Sequence, residues 1–182
     1  MGREVCYQFF ANGGAMFYTE GFGAYASYGQ LRQTWGDLGW EWGPAGFPTS
    51  NPSCLAGGAV CTQNFTGGLL AWSVEGGGHL VPVPLDGALQ RAGGVGGVMG
   101  PPTGDLTCAA GGFCYQLFGS AAVVSQDGVG AFAVPGAVRA VWGANGYEGG
   151  TLGRPDGDPQ CGPDGCLQSF QRDAVEIGRA HV

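Results

Sequence analysis

CYQFF at residues 6–10, CTQNF at 61–65, CYQLF at 114–118 and CLQSF at 166–170 are four copies of one pattern, C-x-Q-x-F. They begin 55, 53 and 52 residues apart, and a period of that length marks a tandem repeat with a unit of about 53 residues. Outward from the motif the register persists. Pro48, Pro102 and Pro155 each stand six residues before a cysteine, Cys54, Cys108 and Cys161, in the settings AGFP, MGPP and LGRP.

After each motif comes an apolar strand: GGAMFYTEG from Gly13, GGLLAWSVEGG from Gly67 and GSAAVVSQDG from Gly119. Glu20, Glu75 and Asp127 hold the turn that follows, and second strands are predicted at 24–27, 79–83 and 131–134. Leu31 with Trp35, and Val138 with Trp142, stand at i and i+4, the spacing of one buried helix face, and a glycine closes each stretch. The predicted fold is mainly β with one short helix per unit, in a propeller-like or curved pseudosymmetric array whose neighbours cover one another. The predicted boundaries are a single repeat domain over 1–176: a partial repeat 1–48, repeats 49–102 and 103–155, and a partial repeat 156–176. The terminal IGRAHV, residues 177–182, matches one reading frame of a sequencing adapter and is read as non-native, so Arg179 and His181 are assigned no chemistry. The chain is accordingly read as a fragment in which Met1 is an internal residue.

Composition narrows the function classes. Of 182 residues 39 are Gly and 11 Pro, which excludes long helices, while 44% hydrophobic and 12% aromatic content is too high for a flexible linker. The basic residues are all arginine and the net charge is -7, leaving no basic stripe for a phosphate backbone, so nucleic acid is not an expected partner. No apolar run approaches the roughly 20 residues of a membrane span.

Cys54 with Cys61, Cys108 with Cys114, and Cys161 with Cys166 are close enough to staple the two arms of one hairpin. Such bonds form in an oxidising compartment. The competing reading is a metal site. C-x-x-C spacing is absent and His79 is the only histidine before the terminal hexapeptide, so a zinc site would have to gather distant repeats. No metal and no cofactor are expected, and Cys6 is read as lacking a partner that lies upstream.

With its Gly-rich loop ending in G-x-P, followed by C-x-Q-x-F and a short apolar strand, the unit resembles the LGFP repeat family. GWEWGPAGFPTS at 39–50 and GYEGGTLGRPDG at 146–157 carry the resemblance most clearly. It implies an extracellular or cell-wall-associated protein, a cell-wall or surface polysaccharide as partner, and an enzyme domain elsewhere in the same full-length chain.

Gln8, Gln63, Gln116 and Gln168 recur once per unit and are read as buried amides that satisfy loop backbone. Trp35 and Trp142 are read as core. The candidate glycan-binding residues are Trp40 with Glu41 and Tyr147 with Glu148, each an aromatic plate followed by an acid in a Gly-flanked loop. Tyr18 and Trp72 are secondary candidates, aligned with each other and with Val124 in the third unit. The competing reading of these rings is repeat-to-repeat packing. Asn64-Phe65-Thr66 is a sequon by chance, and Asp156, Asp158 and Asp164 lie in a disulfide-closed turn rather than a calcium loop. No catalytic residue is assigned: there is no G-x-S-x-G, and the acids repeat as turn and loop residues. The predicted function is a non-catalytic extracellular module that binds or anchors to cell-wall glycan. The alternative is a structural or protein-interaction array without a glycan site, and hydrolysis stands third.

Overall fold

The computed structural model describes residues 5–11 and 13–178. Arg179 and His181 lie outside the described residues. Each C-x-Q-x-F copy is built into an antiparallel meander, because alternating side chains separated by tight Gly turns leave each strand nearest the one before it. The first unit holds β1 (Val5–Phe9), β2 (Ala15–Thr19) and β3 (Gly23–Ser27), then α1 (Gly29–Asp37). The second holds β4 (Ser53–Leu55), β5 (Val60–Phe65), β6 (Gly68–Ser73) and β7 (Gly77–Pro82), then α2 (Val83–Arg91). The third holds β8 (Thr107–Ala109), β9 (Phe113–Phe118), β10 (Ala121–Gln126) and β11 (Gly130–Val134), then α3 (Gly136–Ala144). The fourth sheet is β12 (Gln160–Gly162), β13 (Gly165–Ser169) and β14 (Ala174–Gly178). A 3-10 turn follows each helix, at Trp40–Trp42, Gly94–Gly96 and Tyr147–Gly149. The fold is therefore mainly β with three short helices in tandem, as its sequence pattern implied. The sheets are four separate meanders, and among the described residues strand pairing closes no barrel.

The chain divides into two compact units, 1–83 with 101–103, and 84–100 with 104–182. In the first, α1 lies against β5, β6 and β7. Its buried Leu31 and Trp35 join Ala15 and Phe17 from the first sheet to Phe65, Leu70 and Leu80 from the second. Trp35 is 0% exposed and meets Phe17 edge-on with ring centroids 4.6 Å apart. The second unit repeats the plan around α3, where Val138 and Trp142 join Phe113 and Val124 of the third sheet to Phe170 and Val175 of the fourth. A sheet in this architecture finds part of its core in its neighbour.

Two polar devices lock that packing. The Gln63 amide is 1% exposed, and its Nε2 donates to Ala26 O in β3 and to Ser50 O, both at 2.8 Å. Gln168 is also 1% exposed and donates to Ala133 O in β11 at 2.8 Å and to Gly157 O at 2.9 Å. Each amide thus joins the last strand of the preceding repeat to the proline loop of its own. Gln116, also buried, donates to Gly104 O at 2.9 Å. Gln8, by contrast, is exposed. The second device is the helix tryptophan: Trp35 Nε1 donates to Gly46 O at 3.1 Å and Trp142 Nε1 to Gly153 O at 2.8 Å. Those glycines open the G-x-P elements, whose prolines bridge to Phe65 and Phe170. At Gly46, φ is 70° and a Cβ would stand 2.2 Å from Thr66 Oγ1, so a side chain there would strain the backbone and displace the hydroxyl that accepts from Phe47 N.

The cysteine pairs are disulfides, Cys54–Cys61, Cys108–Cys114 and Cys161–Cys166, with Cα atoms 4.0, 4.0 and 4.1 Å apart. Each joins residues directly opposite on paired strands, β4 with β5, β8 with β9 and β12 with β13. Cys6 is an exposed free thiol.

Two details depart from the sequence reading. The second-unit strand ends at Pro82, and α2 takes Val83 as its first residue, with Pro84 in the first turn, where a missing N–H costs nothing. The third-unit counterpart of Tyr18 and Trp72 is Ser125: all three sit opposite the motif cysteine, at Cys6, Cys61 and Cys114. Val124 faces the other way and is buried, because adjacent strand residues point to opposite faces. In the fourth sheet Ile177 and Gly178 of the terminal hexapeptide pair with Cys166 and Gly165.

The amide bonds give a direct test. Gln168→Ala removes the donor to the buried Ala133 carbonyl and to the half-buried Gly157 carbonyl and is expected to lower unfolding stability by about 2–4 kcal/mol. Gln8→Ala, at an exposed position, is expected to stay within about 0.5 kcal/mol of the parent. Denaturant unfolding of both variants measures the difference.

Candidate functional site

Two pockets of about 270 and 200 Å³ open between a sheet and the helix that follows it, one in the third repeat and one in the first. They are built from equivalent residues. The strands supply Tyr7, Phe9 and Phe17 in the first repeat and Tyr115, Leu117 and Val124 in the third. These match in register, since Tyr7 is opposite Phe17 and Tyr115 opposite Val124. The helix supplies Arg32 or Arg139, one residue after the buried Leu31 or Val138. The 3-10 turn supplies Trp40 with Glu41, or Tyr147 with Glu148.

Local sequence explains how the plates are held. The helix ends where Gly39 or Gly146 takes a left-handed conformation, with φ 92° and 87°. Trp40 and Tyr147 follow with φ of 57° and 52°, and they are the only non-glycine residues at positive φ among the described residues. A bulky side chain there costs about 1–3 kcal/mol. Edge-on packing offsets this cost: Trp40 on Trp35 and Tyr147 on Trp142, each with centroids 5.2 Å apart. The rings lie over Gly36 and Gly143, where a Cβ would stand 2.6 Å from Trp40 Cζ2 and 2.8 Å from Tyr147 Cζ. The guanidinium carbons of Arg32 and Arg139 lie 5.1 and 5.7 Å from the same ring centroids, within cation–π range. Arg32 also lies 5.3 Å from the Phe9 ring.

The second repeat has the same backbone without the site. Counting from its helix, Asp86 replaces the arginine, Gly94 the aromatic and Val95 the acid. Thr62, Asn64 and Ala71 replace the strand residues, and Gln90 stands where the other helices have glycine. Gly94 keeps positive φ, at 67°. The turn therefore forms without a ring, and the ring is an addition to it.

Of the sequence candidates, the structure places Trp40 with Glu41 and Tyr147 with Glu148 in pockets. Tyr147 is 40% exposed and Trp40 is half-buried. Tyr18 and Trp72 line neither pocket. Tyr18 is exposed on the opposite face of its sheet, beside Cys6, Gln8 and Met16, and Trp72 is half-buried against the first unit's core. Arg32, Arg139, Tyr7 and Tyr115 were missed, although the signal existed: superposing the two helices on Leu31 and Val138 aligns the arginines. Trp42, 89% exposed immediately after Glu41, was missed as well.

The profile of the LGFP repeat family matches residues 2–43, 46–97 and 99–150. The chain belongs to the LGFP repeat family. The first and third LGFP matches each end one residue after the 3-10 turn that carries the aromatic–acid pair, so the pockets are features of individual repeats. No curated protein matches the chain. Among the described residues no group of three or more His, Cys, Asp or Glu side chains is arranged to hold a metal ion, and no helix is long and apolar enough to cross a membrane.

The seating of the rings is testable. Gly36→Ala and Gly143→Ala drive a methyl group into Trp40 and Tyr147 and are expected to cost about 1–3 kcal/mol and to change the near-UV circular dichroism. Gly149→Ala, whose Cβ meets nothing within 4 Å, is expected to change neither.

Proposed function

We propose that this chain is a non-catalytic extracellular module that binds cell-wall or surface polysaccharide through the Arg32–Trp40–Glu41 and Arg139–Tyr147–Glu148 pockets. The observation that carries the reading is the paired occurrence of one constellation. Ring, arginine and acid are present together in repeats one and three and absent together from repeat two, whose fold forms without them. An aromatic plate packs on sugar C–H faces, and the neighbouring carboxylate and tyrosine hydroxyl take sugar hydroxyls. Two equivalent weak sites on one chain raise retention on a polymer by avidity. Hairpin disulfides support an oxidising, extracellular location. In a longer polypeptide such a module would hold an attached enzyme domain at the wall.

Hydrolysis is disfavoured because each pocket is lined by a single carboxylate, Glu41 or Glu148, whereas glycoside cleavage uses two. A second reading, a structural or protein-interaction array, is favoured by the edge-on contacts of Trp40 and Tyr147 with the helix tryptophans.

Co-sedimentation with insoluble cell-wall polysaccharide, against cellulose, separates the readings. Trp40→Gly with Tyr147→Gly copies the natural solution at Gly94 and is expected to keep the far-UV circular dichroism while pelleting falls at least tenfold. Pelleting unchanged in the folded double variant would favour the array.

A further inference from the structure

We infer that the sugar unit held in both pockets carries a carboxylate, which Arg32 and Arg139 bind. This inference rests on the polysaccharide reading above and specifies its ligand.

The two guanidiniums are largely uncommitted. Among the described residues no acid lies within ion-pairing distance of either. Arg32 Nε is buried and has no hydrogen-bond partner. Arg139 makes one hydrogen bond, from Nη1 to Ser120 O at 3.2 Å. A guanidinium has five donors in a planar fork, so each pocket presents a cation with most of its donors free. Arg91 behaves differently: Asp158 engages it through two hydrogen bonds and holds its guanidinium above its ordinary pKa, with partial burial opposing.

The helix does not require the arginine. In repeat two that position is Asp86, which accepts from Gln90 Nε2 at 2.9 Å one turn on. Charge at this position therefore reverses where the ring and the pocket acid are lost, and arginine stays where they are present. Hydroxyl groups of a neutral sugar would be served by the glutamate and the tyrosine. A cation set over an aromatic ring adds recognition of a planar anion, and the guanidinium fork matches a carboxylate through two parallel hydrogen bonds. Glu41 and Glu148 beside the arginines, with a net charge of -7, disfavour a densely charged polyanion. One carboxylate among hydroxyls fits both charged groups.

A sugar-borne carboxylate has two chemical sources, a uronic acid or a lactyl ether on an amino sugar, and paired probes distinguish them. Isothermal titration would compare oligogalacturonate with its carboxyl-reduced counterpart, and N-acetylmuramic acid with N-acetylglucosamine. The parent protein is expected to bind the carboxylated member of one pair at least tenfold more tightly. Arg32→Gln with Arg139→Gln is expected to bind both members equally, and Arg32→Lys with Arg139→Lys to keep part of the preference, since lysine retains charge without the fork. Equal binding of both members by the parent would overturn the carboxylate assignment and leave polysaccharide binding standing. Tighter binding of dextran sulfate than of any carboxylated probe would overturn it in favour of general anion capture. No binding of any probe, together with no retention on wall polysaccharide, would overturn both readings.

Discussion

A side-chain amide that reaches back one repeat is the constraint on which the rest of this fold depends. Gln63 and Gln168 each donate two hydrogen bonds from one nitrogen, to a β-strand carbonyl of the preceding unit and to a loop carbonyl of their own. The strand carbonyls belong to β3 and β11, each at the edge of its sheet, and burial makes an unpaired carbonyl there costly. The glutamine therefore specifies distance and register between repeats, while the tryptophan between sheets supplies the apolar area. Without that register, Trp35 and Trp142 would not meet the glycine carbonyls that fix the proline loops.

Against this frame the 3-10 turns stand out as places where side chains were added at a local cost. Gly94 occupies its turn without strain, whereas Trp40 and Tyr147 occupy the same turn in a conformation that disfavours a side chain. Edge-on packing against the helix tryptophan compensates, and Gly36 and Gly143, one turn back in α1 and α3, make room. Strain compensated in this way is confined to the two turns that line pockets, and the equivalent turn of the middle repeat forms without it.

Much of the architecture was legible from the chain because it is written in a period. Four copies of C-x-Q-x-F aligned the strands, the cysteine pairs fell opposite each other, and Trp35 and Trp142 were buried as their spacing to Leu31 and Val138 implied. The partners of the glutamines were not legible, since a backbone carbonyl carries no sequence signature. The pocket was half legible: its turn residues adjoin in the chain, but Tyr7, Arg32 and Glu41 come from three elements, and an arginine on a short helix reads as a solvated face until the sheet beside it is known. The alignment of Val124 with Tyr18 and Trp72 failed because it counted from the turn glycine, which follows the motif phenylalanine by two residues at Gly67 but by one at Gly119, whereas strand pairing sets Ser125 opposite Cys114.

The middle repeat, complete in fold yet empty in its pocket, separates two properties that most domains tie together. On the proposed reading, adding such a unit lengthens the chain without changing valency, whereas giving it a pocket takes substitutions in its strands, helix and turn, at Thr62, Asn64, Ala71, Asp86, Gln90, Gly94 and Val95, and lengthens nothing. Under the proposed function, reach and grip are then separate variables: duplication of a unit sets the first and point substitution within a unit sets the second.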